Sequence, residues 1–255
     1  MDNASIQKKS FTTAGEMKIW DKRHRMIYRE VERIIKKKKY EKFNMVDYAA
    51  CGGEVLIEAK KAYSGAFCFG VDIIESSIKT LKTHGISGKI HDLENLLDLD
   101  RKYDIALAGE VIEHLVSPDN FLYSINKNMT DGGTLILTFP NSVHMISLLT
   151  QWLLDLPPWT GARYRSFHIR EYTYRLTKSL LEAHGFKVVK RMGTEIPYLP
   201  DWTSVITRPF PRLGRCIIVI AEKVAPPNEE LIKNTEAISD IMRLLRFLKT
   251  NKQWK

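Results

Sequence analysis

Cysteine is scarce in this chain. Cys51, Cys68 and Cys216 are the only three in 255 residues, and no two form a Cys-x-x-Cys pair. Three scattered thiols exclude a disulfide framework and a zinc site, and they predict a reducing compartment. Long apolar runs are missing as well. None approaches the ~20 residues that span a bilayer, and Met1-Asp2-Asn3 does not open a charged-then-apolar signal layout. The expectation is a cytoplasmic protein without a transmembrane segment, which leaves peripheral membrane contact open. Gly-x-Gly-x-x-Gly is absent too, which disfavours a nicotinamide dehydrogenase. There is no internal repeat and no low-complexity tract.

What is present suffices for one well-buried domain with additions, since 44% of 255 residues are hydrophobic and 27% charged. The formal charge of +9 is unevenly spread. Residues 1–43 hold 13 Lys or Arg against 6 Asp or Glu, a net +7, which leaves +2 for everything after. The basic character therefore belongs to residues 1–42, an arm and helix that include Lys36-Lys37-Lys38-Lys39. Such a run reads as a solvated helix end, or as a footprint for an anionic substrate, nucleic acid or membrane surface.

Residues 1–16 read as a polar arm. Trp20, Ile27, Val31, Ile34 and Ile35 recur at helical spacing and predict an amphipathic helix from Met17 to Tyr40. Strand-like runs follow at 43–49, 66–71, 87–91, 103–108, 133–139, 186–191 and 215–222, with helical patterns at 54–63, 75–83, 118–128 and 170–184. This alternation predicts an α/β domain with a mainly parallel sheet and helices on both faces. Asp131-Gly132-Gly133 reads as the turn into the fifth strand and His184-Gly185-Phe186 as the stop before the sixth. Two segments exceed what that scaffold needs. Residues 140–169 place Met145, Leu148, Leu149, Trp152 and Leu156 at helical spacing before Pro157-Pro158-Trp159, and residues 192–214 carry four prolines with Tyr198 and Trp202. Both follow the carboxyl ends of strands, where open α/β sheets bind ligands, so they are expected to wall or cover an acceptor pocket. Packing alone would also explain the first stripe. Residues 228–255 form a last amphipathic pattern on Ile238, Ile241, Met242, Leu245 and Leu248.

The chemistry concentrates around Asp47-Tyr48-Ala49-Ala50-Cys51-Gly52-Gly53-Glu54. A strand breaks there into small residues, a helix follows, and a second strand ends on Asp72, 19 residues beyond Gly53. Strand, small-residue turn, helix and acid-tipped strand make a nucleoside site, because backbone can approach the ligand and the acid accepts from ribose hydroxyls. Asp92 beside Leu93 offers an acceptor for an exocyclic amine and an apolar contact for a ring. Glu110, Glu113 and His114 fall at i, i+3 and i+4, which would put them on one helical face toward the cleft.

With those residues in view, Phe43 to Lys223 resembles the class I S-adenosylmethionine-dependent methyltransferases, in particular the small-molecule and ubiquinone-biosynthesis group. Asp47, Ala49, Cys51 and Gly53 stand at the acid and three alternating glycines of that family's first motif. Asp72 matches its ribose-binding acid, Ile73 the residue that lies on adenine, and His91-Asp92-Leu93 the segment at the adenine edge. Tyr103–Leu115, with Gly109 and Glu110, matches the fourth-strand motif, and Gly132–Asn141 the fifth. The resemblance implies a Rossmann-like sheet of seven strands, the last antiparallel, with S-adenosyl-L-methionine as cofactor. It implies methyl transfer to a small-molecule acceptor, an oxygen of a quinol or phenolic, lipid-like or glycan intermediate. A methyl group at Ala49 is tolerated where φ stays negative, and Cys51 would meet the amino-acid portion of the cofactor. His114 and His168 are the candidate bases, His144 a weaker one. No metal is expected. The alternative is a metal-dependent RNA 2'-O-methyltransferase with Glu110, Glu113, His114 and His168 around a divalent ion, or a non-catalytic methyltransferase-like binding protein.

Overall fold

The computed structural model describes residues 22–155, 168–196 and 199–232. Its first element is helix α1 (Lys22–Lys38), after which strands and helices alternate: β1 (Phe43–Tyr48), α2 (Glu54–Ala62), β2 (Ala66–Asp72), α3 (Glu75–Thr83), β3 (Ser87–Ile90) and β4 (Tyr103–Gly109). Then follow α4 (Pro118–Asn128), β5 (Met129–Pro140), α5 (Met145–Leu154), α6 (Tyr174–Ala183), β6 (Phe186–Gly193), the short α7 (Ser204–Thr207) and β7 (Cys216–Lys223). The seven strands form one sheet in the order β3-β2-β1-β4-β5-β7-β6. β7 runs antiparallel to both β5 and β6, while the other pairings are parallel. This is the Rossmann-like α/β sheet that the alternation and the resemblance predicted.

The order reverses at β1. The chain goes outward from β1 to β2 and β3, then returns to build β4 on the other side. Loops leaving β1 and β4 therefore diverge, and a crevice opens above their carboxyl ends. Each face of the sheet carries its own core. One gathers Tyr48, Phe121, Phe139, Tyr172 and Phe186, all buried. The other gathers Met45, Leu56, Leu81 and Ile105 with Met26, Ile27, Val31, Ile34 and Ile35 of α1. Helix α1 thus lays its apolar stripe on the sheet, which explains the helical spacing in the sequence. Residues 17–21, including Trp20, lie outside the described residues.

Three local differences from the sequence reading have physical causes. Strand β5 begins at Met129 rather than 133, because Asp131-Gly132-Gly133 is a bulge inside the strand: Tyr103 pairs with Met129, but Ile105 pairs with Thr134. Gly132 takes φ +72° there, a conformation that glycine adopts without a Cβ penalty. Helix α6 starts at Tyr174 rather than 170, because Thr173 caps it by accepting from the Leu176 amide at 3.3 Å. No α-helix follows Glu110; a single 3-10 turn, Ile112–His114, stands in its place. The tail pattern beyond 232, with Leu156, Pro157-Pro158-Trp159 and Tyr198, lies outside the described residues.

Candidate active site

The crevice is a cavity of about 580 Å³, within the range of small-molecule sites. Asp47, Ala49, Cys51, Asp72, Ile73, Asp92, Leu93, Gly109, Glu110, Glu113, His114 and His168 all line it. Gly53 does not line it. At φ +70° it ends the turn and leads into α2, and a Cβ there would meet Leu81 Cδ2 at 2.1 Å.

The turn after β1 is strained. Ala49 (φ +63°) and Cys51 (φ +49°) keep the left-handed backbone that the first motif assigns to glycine. The condition under which the Ala49 methyl group is harmless, a negative φ, is not met, and the turn geometry persists although two glycines are gone. Each such non-glycine residue costs roughly 1–2 kcal/mol, and strain of this kind persists where surrounding structure fixes it. Asp72 does part of that fixing. It is 5% exposed; its Oδ2 accepts from the Cys51 amide and its Oδ1 from the Ile74 amide, each at 2.8 Å. It does not cap α3, whose N-cap residue Ile74 has no side-chain cap. Burial raises the Asp72 pKa, against the opposing pull of those amide bonds. Asp92 folds its own loop, accepting from the Glu94 amide at 3.0 Å.

Acids dominate this half of the cavity: Asp47, Glu54, Asp72 and Asp92. Burial pushes Asp47 up to about 7, with Glu54 and Asp72 adding to the rise and His24 and Arg23 opposing it. The Cys51 thiol is pushed up to about 11 by burial and by Asp72 and Glu54, so it is protonated at neutral pH and is no nucleophile. A ring of carboxylates repels a pyrophosphate and favours a ligand bearing ammonium, sulfonium, hydroxyls and an exocyclic amine. The residues present therefore fit S-adenosylmethionine by charge, and the Cys51 side chain leaves the crevice open.

The other half is built by the turn after β4. Glu110 has φ +52° and turns toward β5 and β7. Its Oε1 accepts from Thr138 Oγ1 at 3.2 Å, and its Oε2 meets Cys216 Sγ at 3.5 Å and Arg23 Nη1 at 3.5 Å. The expected shared helical face is therefore corrected, because no α-helix forms over 110–114: Glu110 is left-handed and Ile112–His114 is a single 3-10 turn. What the turn does bring together is Glu113, His114 and His168, whose ligand-type atoms all lie within 4.8 Å of one another. His168 arrives from 54 positions downstream through a backbone staple. Glu113 O accepts from the Ile169 and Arg170 amides at 3.0 and 3.2 Å, and the Arg170 guanidinium donates to Leu115 O and Val116 O at 3.1 and 2.7 Å. The two imidazoles meet edge to face with centroids 4.9 Å apart. Burial, reinforced by His114, pushes His168 down to about 4. Glu113 is 1% exposed, and neither of its carboxylate oxygens has a hydrogen-bond partner among the described residues. Burial, then the nearby Glu110, raises its pKa well above the usual carboxylate range.

His144 is buried away from the cavity, where its Nδ1 accepts from the Ser147 amide at 3.0 Å and caps α5. The sequence reading missed Lys22, Arg23 and His24, which close the cavity from the first turn of α1, and Arg215 and Cys216 at the start of β7. Only the apolar period of α1 pointed to packing on the sheet, and nothing in it marked that end as the one over the crevice. The Lys36–Lys39 run sits at the opposite end of α1, roughly 25 Å along the 17-residue helix. There Lys38 donates to Gly132 O, and Lys37 and Lys38 lie 3.9 and 3.8 Å from Glu222. None of the described apolar side chains of α5 lines the cavity; the neighbouring segments contribute His168, Thr194 and Glu195 instead.

Known proteins agree with this architecture. The profile described as "Methyltransferase domain" matches residues 19–191. The ubiquinone biosynthesis O-methyltransferase of Rickettsia prowazekii is 29% identical over 162 residues, covering 56% of this chain and 62% of that protein. Its counterpart in Maricaulis maris is 31% identical over 166 residues, covering 61% of this chain and 63% of that protein. The chain thus spans less than two thirds of the length of these relatives. Among solved structures, the magnesium protoporphyrin IX methyltransferase of Synechocystis with bound S-adenosylmethionine superposes with a TM-score of 0.59 at 14% identity, over 88% of this chain and 98% of that one. At that identity the likeness speaks for the fold alone. Sheet order, an acid-lined crest and a profile covering most of the chain lead to one conclusion: this protein belongs to the methyltransferase-domain family, the class I S-adenosylmethionine-dependent methyltransferases.

Proposed function

We propose that this chain transfers a methyl group from S-adenosylmethionine to an oxygen of a small-molecule acceptor of the quinol or phenolic, lipid-like or glycan type. The single observation that carries this reading is the acid-lined crest, with Asp72 buried at its centre beside a left-handed turn. In it, Asp72 accepts from the ribose hydroxyls, Ile73 flanks adenine, Asp92 accepts from the exocyclic amine and Leu93 packs on the ring. Asp47, Ala49, Cys51, Gly109 and Glu110 border the methionine portion, and Gly53 supports them from behind. The bound cofactor supplies an activated sulfonium, so placement of the acceptor and exclusion of water provide most of the rate.

His114 and His168 form the acceptor end. His168, pushed down to about 4, is neutral at physiological pH, and its imidazole accepts from an acceptor hydroxyl. So low a basicity makes it a positioning acceptor first and a proton sink second. The segments at 140–169 and 192–214 act as walls beside this end through His168, Thr194 and Glu195. A second reading is favoured by the unpartnered Glu113 carboxylate. A divalent cation held by Glu113, His114 and His168 would offset the cost of burying that group and would lower the pKa of an acceptor hydroxyl.

One assay tests both readings. The chain is incubated with methyl-labelled S-adenosylmethionine and a panel of catechols, prenylated phenols and a short RNA, with and without a chelator. Label is expected on a phenolic oxygen. Label on RNA alone would contradict the acceptor class. Loss of labelling on chelation, restored by Mg2+, Mn2+ or Zn2+, would establish the metal reading, and unchanged labelling would remove it.

A further inference from the structure

Two side chains that do not line the cavity, Glu94 and Arg170, grip the turn that carries His114. Glu94 belongs to the loop after β3, where its amide donates to Asp92 Oδ1 at 3.0 Å. Its carboxylate accepts from the Val116 amide through Oε1 at 2.8 Å and from the Ser117 amide through Oε2 at 2.9 Å. Ser117 is the N-cap residue of α4 and makes no side-chain cap bond, so an acid from another loop satisfies the start of this helix. Arg170 approaches from the other side, two residues after His168. Its Nη2 donates to Val116 O at 2.7 Å and its Nε to Leu115 O at 3.1 Å. A helix start needs acceptors, not donors, so capping explains Glu94 but not Arg170.

The amide and the carbonyl of Val116 are thus held by a carboxylate from the Asp92 loop and a guanidinium from the His168 segment. Packing does not fix this residue, which is 56% exposed. Its place is set by backbone bonds to charged partners, which are roughly twice as strong as neutral ones. Both anchors are themselves fastened. The loop after β3 is tied along α4: Asn120 Nδ2 donates to Glu94 O at 3.1 Å, the Leu97 amide to Ser124 Oγ and the Leu99 amide to Asn128 Oδ1, each at 2.9 Å. The segment after His168 is tied to Glu113 O through the Ile169 and Arg170 amides. A continuous path of hydrogen bonds therefore runs from Asp92 through Glu94, Val116 and Arg170 to the backbone beside His168.

We propose that Glu94 and Arg170 are positioning residues that tie the adenine subsite to the acceptor end, so that a nucleoside seated on Asp92 and Leu93 fixes His168 in place. The naming of the two ends rests on the proposed function; the bonded path between them does not. Misplacing a reacting group by about 1 Å costs on the order of a hundredfold in rate, so the grip on Val116 governs turnover more than cofactor affinity.

The test uses adenosine, which fills the adenine and ribose subsites and has no methionine portion to reach the acceptor end. In the full chain the His168 imidazole signal, assigned in NMR spectra by its loss in His168→Asn, is followed as adenosine is added to saturation. The wild-type signal is expected to shift or sharpen, and the response to fall about threefold or more in Glu94→Ala and Arg170→Gln. Arg170→Lys, which reaches a single carbonyl, should restore part of it. Glu94→Gln, which keeps one acceptor oxygen, serves if Glu94→Ala fails to fold. Arg170→Gln should bind S-adenosylhomocysteine within about twofold of the wild type by calorimetry. With an acceptor found by labelling, its kcat should fall about tenfold at unchanged KM for S-adenosylmethionine. A merely structural role would lower thermal stability and leave both the His168 response and that split as in the wild type. The coupling is overturned if adenosine binds and the wild-type signal does not respond, or if the variants respond like the wild type. If neither adenosine nor S-adenosylhomocysteine binds the wild type, the cofactor reading itself fails and the coupling falls with it.

Discussion

The crest over β1, β2 and β4 and the platform built by α5 and residues 199–215 are made of the same residue classes arranged in opposite ways. At the crest, carboxylates face a cavity and apolar side chains sink into the sheet. Asp72 lines the opening while Val71, its neighbour, is fully buried. At the platform, hydroxyls and amides sink inward and tryptophans face out. The contrast teaches that unusual burial by itself does not identify a functional surface. Both regions depart from the ordinary rule, in which exposed groups are polar and buried polar groups are few. The crest departs from it by burying acids that face the cavity, the platform by exposing large apolar groups that do not line it.

The sharpest way to break this comparison is Asn141→Ala. Asn141 is fully buried and holds the platform to β7 through the carbonyls at 212 and 214. Leaving those acceptors unsatisfied should cost about 2–4 kcal/mol in urea unfolding. Trp152→Ala, on the same platform but 81% exposed, should change stability by under ~0.5 kcal/mol. Equal costs at the two sites would mean that the platform is ordinary core. At the crest the smaller test is Ala49→Gly. Relief of the +63° φ, offset by the greater freedom of glycine in the unfolded chain, should raise stability by roughly 0.5 kcal/mol. A loss larger than ~1 kcal/mol would show that the turn is not strained as described.

Much of the fold was legible in the sequence. Apolar runs bounded by small residues placed all seven strands, and β1, β2 and β4 end within a residue or two of the expected positions. These strands are buried on both faces, so their composition carries no competing signal. The acid-tipped β2 and the Asp47–Glu54 turn were legible for the same reason: the nucleoside layout depends on spacing along one βαβ unit. The rest depends on contacts across long separations. The left-handed Glu110 is set by Thr138, Arg23 and Cys216, none of them its neighbour in sequence. His168 is brought to His114 by backbone bonds from Ile169 and Arg170, which no side-chain pattern announces. Apolar spacing from Met145 to Trp152 marked a helix, observed as Met145–Leu154, but the same stripe suits a core, a pocket wall or an exposed face. Only the buried Ser142, His144 and Ser147 on its inner side decide between them.

The central claim is that a cationic nucleoside cofactor rests on the crest with its ribose on Asp72. Titration calorimetry with S-adenosylhomocysteine measures this directly, comparing the wild-type chain with Asp72→Ala. The account predicts one site per chain and a loss of about 1–3 kcal/mol of binding free energy in the variant. Wild-type protein that binds nothing, or a variant that binds as tightly as its parent, would contradict it.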